Sequence, residues 1–160
     1  MDEVLVRTAV QSDFYEIMRL AMQATEENAF VEPDVGKLAE PIYGVLTKQM
    51  PGIIGVIGAV GGPLEAAILL NIGEMWYSKQ RIIEEKAIFV DPEFRAAKGG
   101  RARKLAEFAK NVSDELGMPL SIGVLSNERT EAKARLYTRV FGEPAGVYFL
   151  YNATTGLNKG

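Results

Sequence analysis

Residues Glu84 to Gly117 read EEKAIFVDPEFRAAKGGRARKLAEFAKNVSDELG. The stretch opens with an apolar run, Ala87-Ile88-Phe89-Val90, rich in strand-forming residues. Asp91-Pro92 ends that strand, because proline has no N–H to give to a ladder. A basic, glycine-containing loop follows, Arg95-Ala96-Ala97-Lys98-Gly99-Gly100. Beyond it Ala102, Leu105, Ala109, Val112 and Leu116 recur at three- and four-residue steps, the stripe of an amphipathic helix. Gly117 stands where a helix C-cap is expected, and Pro119 prevents continuation. The unit is therefore strand, basic loop, helix. Small residues at a helix start leave the first N–H groups uncovered, and the helix dipole favours anions there. Between Asp91 and Lys104 five basic residues stand against two acidic ones, in a chain of formal net charge -3. An ordinary connection with a solvated basic face is one reading of this pattern. A pyrophosphate cradle is the other.

Outward from this unit, composition sets the bounds. A chain of 160 residues with 48% hydrophobic content can bury one sizeable core. A single domain is expected over residues 1–152, with 153–160 as a C-terminal tail. The chain has no cysteine, which excludes disulfides, zinc–thiolate sites and cysteine nucleophiles. It has no histidine, so acid–base chemistry must come from Asp, Glu, Tyr, Lys or water. Met1-Asp2-Glu3-Val4 lacks the basic and apolar regions of a signal peptide. The longest apolar run, Ile53 to Val60, is too short and glycine-rich to span a bilayer. A soluble, cytoplasmic protein is expected, with no metal, no membrane and no nucleic acid among its partners. The acidic balance and the lack of aromatics among the basic residues argue against nucleic acid.

Val4-Leu5-Val6 reads as a first strand, and Phe14, Ile17, Met18 and Ala21 as a helix stripe behind Ser12. A second helix is expected over roughly 34–50, with Pro41 starting a turn or kinking it. The carboxylates Glu26, Glu27, Glu32, Asp34 and Glu40 between and within these helices read as a solvated loop or as a lure for a cationic amine. Ile53 to Val60 and Glu65 to Tyr77 form a hairpin around Gly61-Gly62-Pro63, with Trp76 and Tyr77 as core or rim aromatics. The glycines at 55, 58 and 61 do not have dinucleotide-fingerprint spacing. Gln80 to Val90 is the fourth strand, and simple alternation puts Glu84 on the face of Ile88 and Val90, with Glu85 opposite. Leu120–Leu125 is a fifth strand, Ser126-Asn127 caps a helix striped by Ala132, Leu136 and Val140, and Val147–Tyr151 is a last strand.

The segment V-D-P-E-F-R-A-A-K-G-G-R-A, Val90 to Ala102, resembles the acetyl-CoA loop of the GCN5-related N-acetyltransferase (GNAT) superfamily. There a strand ending in Val-x-Pro leads to Arg/Gln-x-x-Gly-x-Gly/Ala at the start of a long helix. Arg95 matches the first motif position and Gly100 the last, while Lys98 stands where the first glycine usually falls. A second segment, N-E-R-T-E-A-K-A-R-L-Y-T-R-V-F-G from Asn127 to Gly142, resembles the family's Asn-led helix carrying Ala-x-Leu-Tyr, with the usual Gly-Phe pair reversed as Phe141-Gly142. The resemblance implies an α/β acyl-CoA N-acyltransferase fold: a mixed, mostly antiparallel twisted sheet, flanked by helices and splayed between strands 4 and 5. It implies transfer of an acetyl group from acetyl-CoA to a primary amine of a small molecule or a peptide, with a homodimer left open. The non-enzyme alternative is a catalytically idle acyl-CoA sensor on the same fold.

The resemblance also assigns residues. Pantetheine would pair with the strand end Ile88-Phe89-Val90, and the pyrophosphate would sit on the N–H groups of Arg95, Ala96, Ala97, Lys98, Gly99, Gly100, Arg101 and Ala102. Tyr137 would protonate the departing thiolate, with Asn127 as a polar contact to the pantetheine arm. Glu84, six residues before Val90, has the offset of a catalytic glutamate in the family's histone acetyltransferases. A carboxylate between apolar neighbours would have a raised pKa, suiting it to act as base. The other reading pairs Glu84 with Lys86 or a neighbour as an edge carboxylate and leaves the base to Glu74, Glu85 or bulk water.

Overall fold

The hairpin expected around Gly61-Gly62-Pro63 supplies the centre of the sheet. The computed structural model describes residues 4–28, 30–95, 99–124 and 129–153. In chain order its elements are β1 (Arg7–Thr8), α1 (Phe14–Asn28), α2 (Val35–Leu46), β2 (Gly52–Ile57), β3 (Ala66–Glu74), β4 (Arg81–Val90), α3 (Arg101–Leu116), β5 (Leu120–Ser121) and α4 (Thr130–Phe141). The strands lie side by side in chain order. β1 to β4 pair antiparallel, and β4 pairs with β5 in parallel. That last ladder joins only Ile83 to Leu120 and Glu84 to Ser121, whereas β4 stays paired with β3 as far as Val90. The sheet therefore splays between its fourth and fifth strands.

β3 begins Ala66-Ala67-Ile68-Leu69-Leu70, and all five residues are buried, as a central strand covered on both faces requires. On one face Ala67 and Leu69 join Ile17, Leu20 and Ile42 from α1 and α2. On the other, Ala66, Ile68 and Leu70 join Ile83 and the α3 residues Leu105, Ala109 and Val112. The stripe read from the sequence is thus the buried face of α3. α2 starts where Asp34 accepts the Lys37 N–H at 2.9 Å, and Pro41 stands inside that helix. β1 is tied to the first turn by a two-pronged ion pair, with Arg7 donating to Asp13 at 2.8 and 2.9 Å. Asp13 is almost wholly buried, and the arginine holds its carboxyl below the usual range. No helix among the described residues is long and apolar enough to cross a membrane.

Several expectations shift. The first ladder lies at Arg7–Thr8, not at Val4-Leu5-Val6; Val4 and Val6 pack instead against the α3-side core. The fifth strand covers Leu120–Ser121, residues 122–124 are not in a strand, and Leu125 lies outside the described residues. Residues 147–151 form no strand, and Val147, Phe149 and Tyr151 are 80%, 89% and 92% exposed. Trp76, at 95% exposure, is a solvent-facing turn residue rather than part of the core. The strand cases share a cause: strand propensity becomes a strand only where a neighbour offers a ladder.

Candidate active site

The opening begins on β4. Ile83 donates its N–H to Pro119 on the β5 side, and pairing with β5 stops one residue later. From Glu85 to Val90 that edge of β4 has no strand partner among the described residues. At the strand end the Asp91 N–H donates towards β3, to the Glu65 carbonyl at 2.9 Å. Alternation then turns the backbone polar groups of Ile88 and Val90 to the free edge. The Val90 carbonyl accepts from Arg95 Nε at 3.2 Å, consistent with that direction.

The chain then turns into α3 through two glycines with positive φ, Gly99 at 115° and Gly100 at 54°. Glycine adopts these conformations without the steric cost a side chain would add. A Cβ on Gly99 would also collide with Val4. Gly100 is the N-cap of α3 and brings no side-chain acceptor to the first turn. The helix start is therefore a cluster of backbone donors on the positive end of a dipole. Before the loop, Asp91 is held by Arg19 at 2.7 Å, and Arg19 also reaches Glu16 and the Leu64 carbonyl. This network fixes where the strand ends and the loop starts.

Between α3 and α4 lies a cleft of about 290 Å³, whose walls include Ile88, Val90, Gly100, Arg101, Ala102 and Tyr137. These expected residues are brought together. Phe89 can offer only its backbone, because its ring is buried in the opposite core. The arginines around the cleft are already engaged: Arg95 of the loop is bidentate to Glu27 at 2.8 and 2.7 Å, and Arg129 at the start of α4 reaches the same carboxylate at 3.2 Å. Arg101 donates to Glu65 at 2.8 Å and lies 4.9 Å from the centre of the Phe94 ring. The expected residues Ala96, Ala97, Lys98 and Asn127 lie outside the described residues. A second cleft, of about 390 Å³, opens beside the first and includes Glu84, Glu85, Ser121, Gly123 and Tyr148 in its walls.

The alternation expected for Glu84 fails. Leu69 faces Ala87 and Leu70 faces Glu85, so Lys86 is left without a partner on β3. This β-bulge moves every residue before it to the other face. Glu85, not Glu84, shares the face of Ile83, Ile88 and Val90, while Glu84 sits opposite Asn71 on the α1 side and pairs with Lys86 at 3.2 Å. The Glu85 carboxyl accepts a long 3.4 Å hydrogen bond from the Gly123 N–H, and burial pushes it up to about 7. Tyr137 faces both clefts; burial, and then the Glu85 charge, raise its hydroxyl and keep it protonated.

No protein-family model and no curated protein matches the sequence. Solved structures do. A possible acetyltransferase from Clostridium difficile 630 superposes with TM-score 0.67 at 20% identity, covering 96% of this chain and 99% of that one. The aminoglycoside N-acetyltransferase AAC(6')-Iy, bound to the bisubstrate analogue CoA-S-monomethyl-acetylneamine, gives 0.68 at 17%, over 94% and 97%. The ribosomal-protein-alanine N-acetyltransferase from Brucella melitensis biovar Abortus 2308 gives 0.65 at 14%, over 94% and 97%. The chain has the GNAT fold.

Within this GNAT fold, Arg129 and Lys133 line the cleft without having been assigned to it from the sequence, while Glu27 was read only as one of several acidic residues that could lure an amine, and Glu85 only as an alternative to Glu84. Glu85 was assigned to the wrong face because a bulge has no local signature. Glu27 and Arg129 meet only through folding, 102 residues apart. Lys133 was readable in principle, since it stands one helical turn before Tyr137 on the same face.

Proposed function

We propose that the protein is an N-acetyltransferase that moves an acetyl group from acetyl-CoA directly to a primary amine of a small molecule or peptide. One observation carries the reading: the free edge of β4 runs into the uncapped, glycine-built N-terminus of α3 inside the opening between β4 and β5. An edge strand suits the amide-bearing pantetheine arm, and a helix N-terminus suits a pyrophosphate. Gly100 leaves room for close approach, because a Cβ there would meet only Arg103, at 3.7 Å.

In this reading an alkylammonium acceptor enters by the cleft beside Glu85 and loses a proton, directly or through one water, before attack. Glu85 takes the base role first expected of Glu84. A backbone N–H of the free β4 edge polarises the thioester carbonyl. The departing thiolate takes a proton from Tyr137, whose hydroxyl is held in the donor form. The lack of cysteine fits direct transfer, since a thioester relay would need a thiol. The test is a thiol-release assay with acetyl-CoA and a panel of primary amines, run beside calorimetric titration of CoA. Amine-dependent release is expected. Tight CoA binding without turnover on any amine would replace the enzyme with a sensor, and no binding would end the reading.

A further inference from the structure

Lys133 stands where the two clefts meet. It lines both, together with Tyr137 one turn further along α4 and Ile88 on the β4 edge. Its side chain is half-buried, and among the described residues its ammonium makes no hydrogen bond or ion pair, although Glu85, Glu27, Arg129 and Arg95 lie close enough for their charges to act on it. A half-buried amine left unpartnered at the junction of two clefts is unusual, because desolvating an unpaired charge is costly. From this position we propose that Lys133 is a self-acylation site, taking the acetyl group from the thioester bound beside it when no acceptor amine is present.

The inference rests on the acetyl-CoA reading. The chemistry needs no further reactant. The neutral Nζ attacks the thioester carbonyl, a C–N bond forms, the C–S bond breaks, and CoA leaves as the thiol with a proton from Tyr137. The proton shed by the nitrogen passes to Glu85. Burial, then the charges of Arg129 and Arg95, lower the pKa of Lys133 and favour the neutral amine; Glu85 and Glu27 act against this. The product is an amide, which cannot pass the acetyl group on. It also removes a positive charge from the junction and fills space between the thioester and acceptor clefts. Self-acylation is therefore terminal, and an acceptor amine protects against it.

The test uses the full wild-type chain incubated with acetyl-CoA alone, followed by intact mass and peptide mapping. Exposed Lys48, Lys79 and Lys110 serve as internal standards for uncatalysed acetylation. One added acetyl group on Lys133, gained more than about tenfold faster than on the standards, is expected, because the cleft holds one amine against the thioester. Excess CoA should block the gain, and Lys133→Arg should lose it. Calorimetry on the same sample separates the two claims. If CoA binds but Lys133 is modified no faster than the standards, the lysine is only a contact for the cofactor and the inference is overturned while the acetyl-CoA reading stands. If CoA does not bind, both fall.

Discussion

The two lips of the opening are built differently. The β4–α3 lip is anchored: α3 buries Leu105, Ala106, Ala109 and Val112, and β4 is laddered to β3 along its length. The β5–α4 lip is held lightly, since β5 has two residues and α4 buries none of its side chains fully. The anchored lip carries the proposed backbone cradle, which would work only with its N–H groups fixed in place. The lighter lip carries Tyr137, Lys133 and Arg129, side chains that line the cleft. On the proposed function, the firmly packed lip would be the one that binds through the main chain, and the lightly packed lip the one that binds through side chains.

Measurements that could break this contrast begin with the largest effect. Glu85→Gln should lower turnover by about 10²–10⁴-fold, the usual contribution of a positioned base. In the wild type the rate should rise with pH through about 7 as Glu85 loses its proton, and the mutant should lack that limb. Stability should move the other way. A carboxyl raised on folding binds a proton that the unfolded chain has released, so it destabilises the fold as pH climbs from about 4.3 through about 7. Glu85→Gln should therefore be at least as stable as wild type above that window. A mutant both inactive and unstable at high pH would make Glu85 a structural residue.

Next come the two helices. Leu105→Ala removes a side chain with no exposure and should cost about 2–5 kcal/mol in denaturant unfolding. Leu136→Ala on α4 should cost about 1 kcal/mol or less, because that side chain is only partly covered. Equal losses would mean that the lips are anchored alike. Tyr137→Phe keeps the ring and its contact with Phe141, whose centroid lies 6.0 Å away, so folding should hold while turnover drops about 10–1000-fold. Unchanged turnover under chemistry-limited conditions would make Tyr137 a packing residue. The smallest effect is reserved for Glu84→Gln. A half-exposed ion pair with Lys86 is worth at most about 1 kcal/mol, and the pH limb should survive its loss. Loss of the limb in this variant, with Glu85→Gln unaffected, would restore Glu84 as base.

Most of the anchored lip was legible in the sequence, because its signals are local. Proline ends β4, paired glycines mark the loop, and a regular apolar stripe gives α3. The lighter lip was less legible. Val147–Tyr151 has strand composition, but whether it becomes a strand depends on a partner that composition does not name. The bulge at Lys86 is set by how β3 and β4 pair, and nothing in Glu84-Glu85-Lys86 announces it. Alternation alone therefore put Glu84 rather than Glu85 on the face of Ile88 and Val90. The Glu27 contact with Arg95 and Arg129 joins distant parts of the chain, which no motif spacing could reveal.

The most direct test of the account is calorimetric titration of CoA into wild type and Gly100→Asp. The substitution puts bulk and negative charge at the N-cap of α3, where φ is 54° and the phosphates are expected to approach backbone N–H groups. Wild-type protein should bind CoA, and the folded variant should bind it more weakly by about 2–4 kcal/mol, the scale of a few lost charge-assisted hydrogen bonds. Equal affinity in a variant that melts like wild type would contradict the cradle.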